Sequence, residues 1–377
     1  MKIMFVHATM NAGGAERTIA SLSNFFVNKN HEVSIVTLRD SEVAYLLSSK
    51  VKYYNCNRSY ESKNAYEAVK NNIFHIKRVR SFILKEKPDI ILCFSVTSLF
   101  ITIVANISQN SKIIYSERSN PYVIMKGTMW KKLKRPLSIF ADGCIFQTER
   151  AKSYYPKLIH KKSIIIQNPV FVNDYTDLPT KFNRKKTIVS VGRLINSKGF
   201  DVLIKAFSMI HHDYPEYKLL IYGDGEELES LQRLIKKLSL ENKVELPGHM
   251  KNIPTNIFDA AVFVFPSRLE GMPNALLEAM ACGLPCVSTD CDMGPRELIN
   301  NYENGILVPV DEENEMEKAI REILNDTQLA IRLGNNAKKV QVKNSIEVIG
   351  DHILEYMERI IYGNNKKNNK KVSVYKS

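Results

Sequence analysis

Two carboxylates and a run of backbone amides make the most chemically pointed stretch of this 377-residue sequence. Glu270 and Glu278 bracket Gly271, Met272, Pro273, Asn274, Ala275 and Leu276. Asn274 is placed to cap a helix, which would turn the N–H groups of Gly271 to Leu276 toward the mouth of the preceding loop. A helix start with free amides suits an anion, above all a phosphate. Two carboxylates would repel that anion unless they bind hydroxyl groups. The expected ligand therefore carries both phosphate and sugar.

A second cluster supplies positive charge. Gly192-Arg193-Leu194-Ile195-Asn196-Ser197-Lys198-Gly199 follows one apolar run and precedes a helical one. Arg193 offers a planar fork and Lys198 a point charge, able to converge on one diphosphate. The early loop Asn11-Ala12-Gly13-Gly14-Ala15-Glu16-Arg17 also joins a strand to a helix, and its glycines let backbone approach a ligand. It is not G-x-G-x-x-G, and Arg39 and Asp40 fall beyond the second strand, so it argues poorly for a nicotinamide dinucleotide. Gly223 in Tyr222-Gly223-Asp224 and Gly248-His249 in Pro247-Gly248-His249-Met250 follow further strands, where turn chemistry and base contact are both open. Tyr115 to Pro121 contains Glu117 beside Arg118, which reads either as an ion pair or as a cleft pair that handles a proton or grips an acceptor.

Other patterns are discounted. Asp290-Cys291-Asp292 is a D-x-D, but its place before Met293-Gly294-Pro295 reads better as a loop and helix start than as a metal site. The eight histidines show no ligand spacing, so no metal is expected. The six cysteines lack zinc-site pairing and read as buried apolar residues of a reducing, cytoplasmic compartment.

The elements that must carry these residues alternate. Lys2–Val6, Glu32–Leu38, Asp89–Phe94, Lys112–Tyr115, Gly143–Gln147 and Ser163–Val170 are short, β-branched apolar runs separated by longer polar-apolar segments. The alternation restarts at Thr187–Val191 and continues through Tyr217–Tyr222, Lys243–Leu246, Ala260–Phe265, Cys286–Thr289 and Gly305–Val308. Such alternation predicts right-handed βαβ units on parallel sheets. The expected plan is α/β, with two Rossmann-like doubly wound domains facing a central cleft. Residues 1–172 form the first, 173–186 a linker and 187–345 the second. A helix over 346–362 returns to the first domain, and 363–377 is a basic disordered tail.

Composition is globular, 44% hydrophobic and 25% charged, and no apolar run approaches the ~18 residues that span a bilayer. Met1 to His7 reads as a first strand and not as a signal peptide. The formal net charge of +13 lies entirely in the first 180 residues; the remainder is balanced. That predicts an anionic partner for the first domain alone. Asn64 to Lys85 is helical, with Val69, Ile73, Ile76 and Ile83 as its apolar stripe. Lys63, Lys70 and Lys77 form a basic row about 21 Å long at helical rise. Met125 to Arg135 mixes Met129 and Trp130 with Lys126, Lys131, Lys132, Lys134 and Arg135. Both segments suit an anionic membrane surface or a lipid diphosphate.

Together these residues carry a resemblance. The chain resembles retaining GT-B glycosyltransferases of the family 4 group, and within it bacterial enzymes that extend lipid-linked oligosaccharides, O-antigens and capsules. The likeness rests on the E-x7-E pair Glu270 and Glu278, on Gly192-Arg193 with Lys198-Gly199, and on Gly13-Gly14-Ala15-Glu16. Asn168-Pro169-Val170 and Gly294-Pro295-Arg296-Glu297 extend it. The resemblance implies that Glu278 binds the ribose of a nucleotide and Glu270 the donor sugar. Arg193 and Lys198 would neutralise the leaving diphosphate, and Gly13-Gly14 would close on it. Glu117 or Arg118 is the first-domain candidate for a direct role, where many relatives carry a histidine on the cleft wall. Retention by front-face attack would need neither a protein nucleophile nor a metal. The expected substrates are a UDP-linked hexose or N-acetylhexosamine and a polyprenyl-diphosphate glycan, with no cofactor beyond the donor. The expected place is the inner face of the membrane, reached through Lys63, Lys70, Lys77, Trp130, Lys131 and Lys132. A UDP-sugar epimerase on the same plan is the enzyme alternative. A basic nucleic-acid-binding protein is the other, though no nucleic-acid motif accompanies the charge.

Overall fold

The computed structural model describes residues 1–57, 64–123, 129–170, 184–250 and 253–363, with side chains from residue 132 in the helix that begins at Met129. Lys63, Lys126, the side chains of Trp130 and Lys131, residues 173–183 and residues 364–377 lie outside this set.

The first sheet holds seven strands: β1 (Lys2–His7), β2 (Glu32–Thr37), β3 (Lys52–Asn55), β4 (Ile90–Cys93), β5 (Lys112–Ser116), β6 (Gly143–Phe146) and β7 (Ser163–Ile165). The second holds six: β8 (Lys185–Val191), β9 (Lys218–Tyr222), β10 (Val244–Gly248), β11 (Ala260–Phe265), β12 (Cys286–Thr289) and β13 (Ile306–Val308). Their orders are β3-β2-β1-β4-β5-β6-β7 and β10-β9-β8-β11-β12-β13, and every pairing is parallel. Helices cover both faces, so central strands such as β4 are buried at every residue and read as continuous apolar runs. The two apolar faces of each sheet form separate cores, with Phe5 and Phe26 in one and Phe207 and Ile221 in another.

Strand order reverses between β1 and β4 in the first sheet and between β8 and β11 in the second. Crevices open outside the carboxyl ends of strands at such points, which is where open α/β sheets take ligands. The loop after β1 carries Gly13 and Gly14, the loop after β8 carries Arg193 and Lys198, and the loop after β11 carries Glu270. Two adjacent strand ends in each domain thus aim the chemically pointed residues at one place.

Three expectations need correction. The edge strand β3 has no counterpart among the apolar runs, because its Lys-Tyr-Tyr-Asn is only half buried. Strand β8 begins at Lys185, inside the expected linker, where Lys185 N donates to Asp259 O. The apolar stripe on the Ala65–Glu86 helix is also different. Ile83 is buried and Ile76 packs against the core as expected, but Val69 and Ile73 are 58% and 49% exposed, and Asn71, Val79 and Phe82 are buried in addition. Only the second half of this helix packs on the sheet; its first half walls a cleft.

The chain crosses between domains a second time. Ser345 Oγ accepts from Val348 N and starts the helix Ile346–Tyr362, which lies against the Gly14–Asn28 helix of the first domain. There Ile353 and Met357 are fully buried, and Tyr356 Oη accepts from Cys144 N while donating to Lys162 O at 2.6 Å.

Candidate active site

A cleft of about 660 Å³ opens between the domains. Its first-domain wall is Gly13, Gly14, Arg17 and Tyr45; its second-domain wall includes Gly192, Arg193, Lys198, Gly223, His249, Met272, Pro273, Asn274, Ala275, Glu270 and Glu278. Residues far apart in sequence therefore share one cavity. Leu276, Gly248 and Gly271 are not on its wall. Leu276 is fully buried in the second-domain core. Gly248 closes β10, its carbonyl accepting from Gly223 N at 2.9 Å. Gly271 abuts the Ser119–Asn120 backbone.

The glycines work by close approach. A Cβ on Gly14 would meet the Asn274 side-chain amide across the cleft, so a larger residue there would have to displace that amide. Gly223, at φ +144°, lies against the Gly192 carbonyl, in a conformation L side chains rarely adopt. These contacts bring the strand ends of β8 and β9 together beside Arg193.

Asn274 is the first residue of the Asn274–Ala281 helix and not its cap; Pro273 holds that position with no side-chain bond. No side chain caps this helix start, and Met272, Pro273, Asn274 and Ala275 line the cleft. The Asn274 side chain reaches across instead. Its Oδ1 accepts from Asn168 Nδ2 at 2.5 Å, and Asn168 Oδ1 accepts from Arg118 Nη1 at 2.8 Å and from Gln147 Nε2. Asn120 Nδ2 donates to the Glu270 carbonyl at 2.9 Å, a second tie between the domains. Asn168 is thus a junction between the domains.

Both glutamates are nearly buried, Glu270 at 9% and Glu278 at 6% exposure. Lys198 Nζ pairs with Glu270 Oε1 and lies 5.5 Å from the Phe265 ring centre. Arg17 Nη1, from the first domain, pairs with Glu278 Oε1. Arg193 is exposed on the cleft wall, and its guanidinium forms no ion pair or hydrogen bond among the described residues. Arg17 went unmarked in the sequence; the only signal was its place one helical turn after Gly13-Gly14.

Glu117 is a different kind of carboxylate. It is 4% exposed, and its oxygens accept from Tyr155 Oη at 2.6 Å, Tyr115 Oη at 2.9 Å, Lys134 Nζ at 2.8 Å, and Ser119 Oγ and N at 2.7 and 3.1 Å. Burial alone would raise its pKa, yet the Lys134 ammonium and these bonds hold it below the ordinary value. A carboxylate with five donors has no lone pair left for a substrate proton. Lys134, expected on a basic surface, is 7% exposed and anchors this cluster.

A second cavity of about 760 Å³ lies in the first domain, with His7, Glu16, Asn71, Ser95 and Arg118 on its wall. His7 Nε2 is 3.1 Å from Glu16 Oε1. Burial favours the neutral acid, but the His7 contact keeps the Glu16 carboxyl below its ordinary value. Arg118 stacks on Phe94 at 4.8 Å, pairs with no carboxylate among the described residues, and is pushed down to about 10 by burial. The D-x-D carboxylates do not converge on a shared point: Asp290 takes both nitrogens of a fork from Arg296, and Asp292 is 3.4 Å from Arg150. No helix among the described residues is long and apolar enough to cross a membrane.

Comparison with known proteins agrees with this plan. Residues 12–173 match the Glycosyltransferase Family 4 model, and residues 176–340 match Glycosyl transferases group 1. Among curated relatives, one from Campylobacter jejuni is 29% identical over 90% of this chain and 93% of its own length. It is named GalNAc-alpha-(1->4)-GalNAc-alpha-(1->3)-diNAcBac-PP-undecaprenol alpha-1,4-N-acetyl-D-galactosaminyltransferase. A second from the same organism is 28% identical over 89% of this chain and 93% of its own. It is named an N-acetylgalactosamine-N,N'-diacetylbacillosaminyl-diphospho-undecaprenol 4-alpha-N-acetylgalactosaminyltransferase. Among solved structures, HepE of Anabaena, in complex with UDP and glucose, shares the fold. Its TM-score is 0.79 at 19% identity, covering 95% of this chain and 99% of that one. Since the two family models divide nearly the whole chain between its two sheets, this protein belongs to the GT-B glycosyltransferases of the family 4 group.

Proposed function

We propose that the protein is a retaining, metal-independent glycosyltransferase. It moves a hexose or N-acetylhexosamine (Gal, GalNAc, Glc or GlcNAc) from a UDP-sugar to a polyprenyl-diphosphate-linked oligosaccharide in surface polysaccharide assembly. The observation that carries this is the shared cleft, which unites three cations, three carboxylates and an uncapped helix start. A nucleotide diphosphate sugar is a ligand whose parts match all three. The names of the two Campylobacter relatives support the acceptor class.

In this reading Glu278 binds ribose hydroxyls and Glu270 those of the donor sugar. Arg193, Lys198 and the amides near Gly14 and Asn274 surround the diphosphate. The acceptor hydroxyl attacks C1 on the face the nucleotide leaves. Its oxygen forms the new bond as the C1–O bond to the β-phosphate breaks, and its proton passes to the departing phosphate oxygen. The cations stabilise the charge that develops on the leaving group. The first-domain cavity beside Arg118 and Asn168 would admit the acceptor, since that junction touches the donor loop.

Lys70, Lys77 and Lys132 are exposed, as are Tyr66, Val69 and Ile73 on the Ala65–Glu86 helix. A basic, partly apolar face of this kind would rest on the inner surface of an anionic membrane. Lys63, Trp130 and Lys131 belong to the same stretches of sequence.

Four UDP-sugars, an undecaprenyl-diphosphate glycan and EDTA test the reading. One donor should give UDP and a glycan longer by one α-linked sugar, with EDTA without effect. Conversion of the UDP-sugar without acceptor would instead identify an epimerase. Vesicles containing anionic lipid should bind the protein at low salt and release it at high salt; failure to bind removes the membrane surface as a partner.

A further inference from the structure

Both cleft glutamates are held by a cation, and one of those cations was given no role by any motif. Arg17 sits in the first turn of the Gly14–Asn28 helix, whose start is the Gly13-Gly14 loop, and it crosses the domain boundary to Glu278. The pair is largely withdrawn from water, with side chains 26% and 8% exposed.

The formal charges on the cleft wall cancel. Arg17, Arg193 and Lys198 face Asp224, Glu270 and Glu278. A diphosphate entering this wall must be met by cations that are already neutralised, Arg193 excepted. Ribose hydroxyls are neutral and cannot by themselves displace Arg17 from a buried carboxylate. The two halves of a nucleotide therefore solve each other's problem: phosphate takes the guanidinium, and hydroxyls satisfy the carboxylate it leaves.

We propose that Arg17 is a donor-binding residue that works by exchange. With the cleft empty it neutralises Glu278; with the donor bound it turns onto the diphosphate and yields Glu278 to the ribose. This rests on the reading of Glu278 as the ribose site. No helix movement is needed, because Arg17 and the Gly13-Gly14 loop already share the cleft wall. Arginine suits both partners, since its fork matches carboxylate and phosphate alike. The exchange also makes phosphate and nucleoside binding mutually favourable, by the reciprocity of linked sites.

Titrations of UDP and of uridine against the full chain test it. Arg17→Ala should weaken UDP binding by about tenfold or more, the loss of one charge-assisted contact. The same change should tighten uridine binding, because no guanidinium has to be displaced. Arg17→Lys should fall between wild type and alanine for UDP. Equal weakening of both ligands, or no change in UDP affinity, would overturn the exchange. If Arg17→Ala does not fold, the wild-type protein still decides: pyrophosphate should tighten uridine binding, and an absent or opposite effect rejects the proposal. Wild-type protein that binds neither UDP nor uridine would instead end the functional reading on which the exchange depends.

Discussion

Glu117 and Glu270 have much in common. Each lies near a strand end, each is at most 9% exposed, and each is bonded to a lysine of its own domain. Their surroundings differ. Glu117 is closed in by two tyrosine hydroxyls, a serine and a backbone amide, and its partner Lys134 is buried too. Glu270 is held by Lys198, which itself lines an open cleft of about 660 Å³. A buried ion pair is thus not a site by itself. Spare bonding capacity facing a cavity separates the residue that can meet a substrate from the residue that holds a loop in place.

The contrast predicts opposite consequences for similar substitutions. Glu270→Gln keeps shape and removes charge where the donor sugar binds. Turnover should fall by about 10²–10³-fold, in the range for a transition-state contact, with little change in melting temperature. Wild-type turnover in this variant would erase the distinction. Glu117→Ala leaves the Lys134 charge buried and unpaired, at a cost of about 3–5 kcal/mol in urea unfolding. Replacing both Glu117 and Lys134 by Met should recover much of that loss. If the single variant is as stable as wild type, Glu117 is not an anchor.

Acid gives a smaller effect. The folded pKa of Glu117 lies below its unfolded value, so the group stabilises the fold above an unfolded pKa near ~4.3. That contribution disappears as pH falls through the folded value. Urea midpoints measured between pH 5 and 3 should drop more steeply for wild type than for Glu117→Gln. Parallel curves would mean that the carboxylate is not held in its charged form.

Much of the plan is legible along the chain, because it depends on local periodicity and on turn chemistry. Short β-branched runs such as Ile90–Cys93, buried on both faces, announce a parallel sheet. The loops carrying Gly13, Gly192, Arg193 and Glu270 announce themselves by type, since few residues serve a helix start that must admit an anion. Edge strand β3 is less legible, for its side chains are half exposed and its pairing with β2 lies on one side only.

Partnership is what the linear pattern does not contain. Nothing local separates Glu117-Arg118 from a working pair, or Lys134 from its exposed neighbour Lys132. Val69 and Ile73 keep helical spacing and still face water, because the helix is set by what its second half buries. Arg17 and Glu278 are separated by 261 positions and meet only when two cores, each packed by itself, are brought together across the cleft. The types of chemistry available are written in residues and their spacing. Which charge faces which, and which remains open to a ligand, follows from burial, a cooperative property of the assembled domains.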